Sequence, residues 1–146
     1  MKIQVMRLED YEEVYELWRN TPGMGLNDKD DSKEGINKYL TRNPSTCFVA
    51  REEGRLLGVI LSGHDGRRGF IHHTAVDVKK RKQGIGRALV DAAMIALKQE
   101  GIHKVAMLVF SKNEEGNRFW ESLEFEARRD ITYRNKQLVE LVRIDT

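Results

Sequence analysis

The 146-residue chain has one cysteine, two prolines and almost no net charge, and each scarcity narrows what it can be. A lone Cys47 cannot form a disulfide within the chain. It lies in the apolar run Cys47–Ala50 and reads as a small buried residue rather than a nucleophile. No His–Cys spacing suits zinc, so no metal is expected. The formal net charge is +2, from 25 basic and 23 acidic residues. That balance lacks the basic excess of a nucleic-acid-coating protein, so no nucleic-acid partner is expected. No apolar run is long enough to span a bilayer. The start, Met1-Lys2-Ile3-Gln4-Val5, runs at once into charges, unlike a signal peptide. The expectation is a protein of a reducing, cytoplasmic compartment with no membrane partner. Neither repeat nor linker interrupts the chain, whose length suits one domain, 1–146.

What is present is an ordinary core-forming chain, 40% hydrophobic and 33% charged with both signs mixed. Ile3 and Val5 alternate with polar residues and predict a first strand to about Leu8. Asp10 is placed to cap a helix whose Tyr11, Val14, Leu17 and Trp18 share one face. Thr21-Pro22-Gly23 stops it, and Ser32 opens a second helix carrying Ile36, Tyr39 and Leu40. Three strands follow, Thr46–Arg51, Leu56–Ser62 and Phe70–Val78, joined by short turns into an antiparallel meander. Ile85, Leu89, Ala92, Ala93, Ala96 and Leu97 mark a long amphipathic helix closed by Gly101. A strand at Val105–Phe110, a helix from Asn113, and a final strand pair at Phe125–Tyr133 and Gln137–Ile144 complete the pattern. The predicted order is βααβββαβαββ. It describes an α/β domain with about four helices on a mixed, mostly antiparallel sheet of about seven strands.

The most informative stretch runs from Ala75 to Leu89, where a β-branched strand enters the basic turn Lys79-Lys80-Arg81-Lys82-Gln83-Gly84-Ile85-Gly86 and a helix begins. A helix N-terminus presents unpaired N–H groups and the positive end of a dipole. Gly84 and Gly86 remove the Cβ atoms that would hold a diphosphate away from that backbone. The turn is not a P-loop, because no G-x-x-x-x-G-K-[ST] string occurs. Nor is it a dinucleotide fingerprint, which wants a small residue at Leu89.

The string R-x-x-G-x-G at Arg81, Gly84 and Gly86 resembles the pyrophosphate turn of the GNAT superfamily of N-acetyltransferases. Asn113–Phe125 resembles the later N-x-x-A-x-x-F-Y-E-x-x-G-F segment of the same family, and the element order agrees over nearly the whole chain. The resemblance implies a GNAT-like fold and acetyl-CoA as cosubstrate. It places the CoA pyrophosphate on amides from Gln83 through Gly84, Ile85 and Gly86 to Arg87, with Arg81 and Lys82 adding charge. It runs the pantetheine arm along the strand at Val76 and Val78, and parts that strand from Val105–Phe110 at a bulge. The Val76 N–H becomes the oxyanion donor, and Asn113 and Trp120 contact the cofactor arm. The acceptor is an amine of a small molecule or of a peptide or protein N-terminus. Related domains often pair, so a homodimer is also an implied partner.

Some positions depart from the family pattern. Trp120 stands where many members carry a tyrosine that protonates the leaving thiolate, and an indole N–H cannot serve as that acid. This departure keeps a second class open, a non-catalytic acyl-CoA-binding sensor or interaction module. Glu124 replaces a glycine, Gly116 an alanine and Val78 a proline. For proton removal from the amine, His72 and His73 lie on the strand that lines the acetyl site. Strict alternation puts their rings on opposite faces, so at most one faces the site unless the bulge intervenes, and His72, on the same nominal face as Val76, is preferred. Asp65, Arg67 and Arg68 read first as turn residues, and Tyr133 as a candidate for the acceptor pocket.

Overall fold

A computed structural model describes residues 1–145. Its strands are β1 (Lys2–Val5), β2 (Phe48–Glu52), β3 (Arg55–His64), β4 (Gly69–Val76) and β5 (Val105–Met107). Its α-helices are α1 (Tyr11–Arg19), α2 (Lys33–Arg42), α3 (Ile85–Gln99) and α4 (Glu114–Ser122). The strands form one sheet in the order β1-β2-β3-β4-β5. β1 through β4 pair antiparallel, and β5 joins β4 in parallel after the α3 crossover.

β3 is the centre of this sheet. Every residue from Leu56 to Gly63 is buried, which matches a strand covered by helices on both faces. On one face Val14 and Trp18 of α1 and Ile36 and Leu40 of α2 pack against Val59, Leu61 and Ala75. On the other, Ile85, Leu89 and Ala93 of α3 and Trp120 of α4 pack against Leu57, Ile60 and Ile71. The apolar spacing that predicted α1 and α3 is therefore the spacing that covers the sheet. Ser32 caps α2, its Oγ accepting the Gly35 N–H at 3.0 Å. Glu53 and Gly54 make the β2–β3 turn with φ of 52° and 77°.

The structure differs from the sequence expectation at several points. Asp10 precedes α1 but does not cap it: its carboxylate accepts the Arg7 N–H at 2.8 Å and pairs with Arg51 at 2.7 Å. β5 stops at Met107 and β4 at Val76, so Val78 falls in a 3-10 turn, Val78–Lys80, rather than in the strand. Among the described residues the sheet has five strands, not about seven. The expected pair Phe125–Tyr133 and Gln137–Ile144 forms no ladder among the described residues; its one bridge joins Arg143 to Asn27. The reason is visible in the backbone. Val142 and Asp28 exchange hydrogen bonds at 2.8 and 3.0 Å, and the Ile144 N–H donates to the Leu26 carbonyl at 2.9 Å. The end of the chain is thus held by the loop after α1 rather than by a hairpin partner. No described helix is long and apolar enough to cross a membrane.

Candidate functional site

The cradle is built where β4 hands over to α3. Gly84 stands at the N-cap of α3 with φ 83°, a conformation that disfavours any residue with a Cβ. The first helical bond of this end runs from the Ala88 N–H to the Gly84 carbonyl at 3.0 Å. The N–H groups of Ile85, Gly86 and Arg87 precede it and so face outward without helical partners. Gly86 has a different reason to be glycine. A Cβ there would meet the Phe119 ring of α4 at 3.0 and 3.1 Å. The glycine lets α4 come close to the mouth of α3. Arg81 does not point freely into solvent: its Nε donates to the Val76 carbonyl at 3.4 Å and its Nη1 lies 3.7 Å from Glu115. Lys82, Gln83, Gly84 and Arg87 are exposed around the same mouth.

Beside the cradle the sheet opens. β4 pairs with β5 only over Gly69–Ile71 against Val105–Met107. From His72 to Val76 that edge of β4 has no strand beside it among the described residues. The Asp77 N–H donates to the Leu57 carbonyl of β3 at 2.8 Å. Backbone groups alternate sides along a strand, so the Val76 N–H points away from β3, into the opening. An unpaired strand edge with an outward N–H leads directly to a helix mouth whose donors are also unused.

The same interval carries a bulge. Val59 faces Ala75 and Leu61 faces His72, so β4 has one residue more than β3 across it. The extra residue falls at His73, whose φ of 28° is rare for a residue with a side chain. The bulge changes which face each ring takes. His72 meets the Tyr39 ring of α2 at 5.6 Å, and His73 meets the Trp18 ring of α1 at 5.2 Å. Both histidines therefore lie on the α1–α2 face, with ring centroids 6.3 Å apart. The Val76 side chain packs on the opposite face, with the α3 cluster. The parity argument that joined His72 to Val76 and separated it from His73 is overturned by this one residue.

The histidines line a cavity of about 1050 Å³, together with Asp31, Tyr39, Met107, Asn113, Trp120 and Tyr133. The His72 ring is open to this cavity, yet Phe70 and Tyr39 wall it. That enclosure, reinforced by His73 and opposed by Asp31 and Asp30, holds its pKa below the ordinary histidine value. His73 is paired instead: its Nε2 lies 2.8 Å from an oxygen of Asp31, which is 3% exposed. Sequence reasoning named His73 but not Asp31, because only the tertiary fold brings 31 beside 73. No residue of the turn Arg81–Gly86 lines this cavity. A larger hollow, about 2320 Å³, lies between β5 and the C-terminal segment and likewise contains no cradle residue.

Other expected residues resolve simply. Asn113 caps α4, its Oδ1 accepting the Gly116 N–H at 2.9 Å, which leaves its amide Nδ2 able to donate. Trp120 is 7% exposed and stands between the Phe119 and Phe125 rings, each at 5.1 Å, so most of it is core. Asp65 accepts the Arg67 and Arg68 N–H groups at 2.8 and 2.7 Å, the turn role expected of it. Cys47 is buried against the Ser62 carbonyl, and burial pushes its thiol up to about 12.

A parted sheet beside a glycine-bearing helix mouth can receive an extended ligand that ends in a diphosphate. The profile of the acetyltransferase (GNAT) family matches residues 11–125. An acetyltransferase of Sodalis glossinidius (strain morsitans) is 31% identical over 140 residues, covering 96% of this chain and 97% of that one. The chain belongs to the GNAT acetyltransferase family. Among solved structures, Ard1 from Thermoplasma volcanium shares its fold with a TM-score of 0.74 at 23% identity, covering 84% of this chain and 80% of that one. The PaiA N-acetyltransferase from Thermoplasma acidophilum, solved in complex with coenzyme A, gives 0.73 at 19% identity, covering 84% and 87%.

Proposed function

We propose that residues 1–146 act as one domain that transfers the acetyl group of acetyl-CoA directly to an amine of a small molecule or of a peptide N-terminus. The observation that carries this reading is the unpaired edge of β4, whose outward Val76 N–H leads to the left-handed Gly84 and the open mouth of α3. The fit is chemical. Amides from Gln83 to Arg87 are free to receive a diphosphate, with Lys82 and Arg87 supplying charge. The β4 edge up to Val76, continued by the turn at Val78, offers backbone partners to an extended amide-bearing arm. The Asn113 amide and the exposed edge of the Trp120 ring, both lining the cavity beside the histidines, serve as contacts for that arm. The Val76 N–H is directed at the oxygen that gains charge as the amine attacks. An imidazole of β4 removes the amine proton; the sequence favoured His72 on a strand parity that the bulge removes, and both His72 and His73 are candidates on the α1–α2 face. Trp120 supplies no acid, so the leaving thiolate takes its proton through water. Cytoplasmic location and pairing with a second copy belong to this proposal; sedimentation with and without acetyl-CoA checks the latter.

The test compares two glycines of like strain. Gly84 and Gly54 have φ of 83° and 77°, and a Cβ at either meets nothing within 4 Å. Gly84→Val is expected to weaken acetyl-CoA binding at least about tenfold in calorimetry. Gly54→Val, in the β2–β3 turn, is expected to leave affinity unchanged. Equal affinity in both variants would remove the cradle.

A further inference from the structure

The bulge at His73 places a strained backbone, a buried carboxylate and an indole clamp on one imidazole. A φ of 28° on a residue with a side chain persists only where its surroundings hold it. Here the Trp18 Nε1–H donates to the His73 carbonyl at 3.0 Å, and Trp18 is 0% exposed. Asp31 Oδ1 takes the His73 Nε2 at 2.8 Å, and Asp31 Oδ2 accepts the Asn27 N–H, also at 2.8 Å. The Tyr11 hydroxyl donates to the Asp31 carbonyl at 2.7 Å and fixes the loop from the other side. His72 has nothing comparable. Its ring is packed against Phe70 and Tyr39, with no hydrogen bond to either ring nitrogen among the described residues.

We infer that His73, oriented by Asp31, is the base that takes the proton from the acceptor amine, and that His72 forms an aromatic wall of the acceptor cavity. The assignment rests on the acetyltransferase reading above. A carboxylate only accepts, so the neutral ring carries its hydrogen on Nε2 and keeps a lone pair on Nδ1. Nδ1 has no hydrogen-bond partner among the described residues, and His73 lines the cavity. The acceptor ammonium gives one proton to Nδ1. Its freed lone pair forms the N–C bond to the acetyl carbonyl carbon. The C–S bond breaks with its electron pair on sulfur, and the second amine proton reaches the thiolate through water. The imidazolium, stabilised by Asp31, then returns its proton to solvent. Other charged groups also face this ring. Asp30 lies beside Asp31, His72 is its neighbour on β4, and Arg143 reaches the cavity from the C-terminal segment. The α2 cations Lys38 and Arg42 line the wall beyond Tyr39.

The test uses the full chain with acetyl-CoA and a panel of spermidine, alanine amide and kanamycin, reading CoA thiol release against pH. His73→Asn suits the site because asparagine tolerates positive φ. It is expected to lower kcat about 100-fold near neutral pH with acetyl-CoA affinity unchanged. Its rate should then climb about tenfold per pH unit as the amine deprotonates unaided. Asp31→Asn keeps the shape and the Asn27 contact, but its amide donates to Nε2 and forces the hydrogen onto Nδ1. A similar loss in kcat, with amine KM and thermal midpoint near wild type, is expected. This variant carries the test if His73→Asn fails to fold. His72→Phe keeps the contacts with Phe70 and Tyr39 and is expected to keep the shape of the wild-type pH profile, since no proton passes through it, with its effect falling on amine KM. The assignment is overturned if His73→Asn keeps the wild-type pH profile, if Asp31→Asn keeps wild-type kcat, or if His72→Phe shows the tenfold climb per pH unit instead. Wild-type protein that binds acetyl-CoA but releases no thiol with any amine overturns the enzyme reading, and this assignment with it.

Discussion

Glu124 follows α4 with φ 68°, in the left-handed region where a Cβ crowds the following carbonyl. The turn is otherwise a well-bonded helix end: the Glu124 N–H donates to the Glu121 carbonyl at 2.9 Å and the Phe125 N–H to the Trp120 carbonyl at 3.0 Å. Glycine adopts this conformation without the clash, and its extra unfolded-state entropy offsets only part of the gain. Glu124→Gly is therefore expected to stabilise the protein by about 0.5–1 kcal/mol. A higher urea midpoint with unchanged slope would show it; a lower midpoint would mean that the Glu124 side chain contributes more than the strain costs. Much at this scale was legible in the sequence, because the signals are local. Position 124 stood out as a departure from glycine, Gly84 as a residue that must lack a Cβ, and Asp65 as a turn residue that accepts the Arg67 and Arg68 N–H groups. The histidines were the part that could not be read. Which face His73 takes depends on a single inserted residue in β4, and the carboxylate that orients it comes from 42 positions away in the chain.

At the scale of elements, α4 shows two local rules in conflict. Alanine at 116 is a better helix former than Gly116 by about 1 kcal/mol. A Cβ there, however, would stand 2.5 Å from the Asn113 side-chain amide, whose Oδ1 caps the helix through the Gly116 N–H. The amide must swing away, and losing an N-cap costs about 1 kcal/mol. Gly116→Ala is therefore expected to change stability by less than about 0.5 kcal/mol, the two effects cancelling. In an Asn113→Ala background the cap is already gone, and the same change should stabilise by about 1 kcal/mol. Thermal or urea unfolding of the four proteins measures the difference, and equal effects in both backgrounds would refute the coupling. Most elements were legible for the reason that held at single residues: apolar spacing for α1 and α3, Ser32 for the start of α2, Glu53-Gly54 for the hairpin. The final strand pair was misread for the opposite reason. Alternation at Ile131 and Tyr133, or at Leu138 and Val142, marks a segment able to be a strand but not one with a partner, and all four residues are exposed.

On the scale of the whole molecule, the C-terminal segment is held on the loop after α1, beside the proposed acceptor cavity, and not on the cradle. The Asp145 carboxylate accepts the N–H groups of Gly25 and Leu26 at 3.2 and 2.6 Å, and Leu26 is fully buried. The adjoining Asn27 N–H holds Asp31, so Asp145 supports the His73 pair through one short loop. The cradle, by contrast, is made by β4, α3 and the Phe119 contact of α4. Asp145→Ala leaves two loop N–H groups without their charged acceptor, a change worth about 1–3 kcal/mol where burial is complete and less here, since the site is partly open. The loop should loosen, and amine KM should rise several-fold while acetyl-CoA affinity in calorimetry stays at the wild-type value. A parallel loss of acetyl-CoA affinity would show that the two halves of the opening are mechanically coupled, and that the C-terminal segment supports the sheet as a whole rather than the acceptor loop.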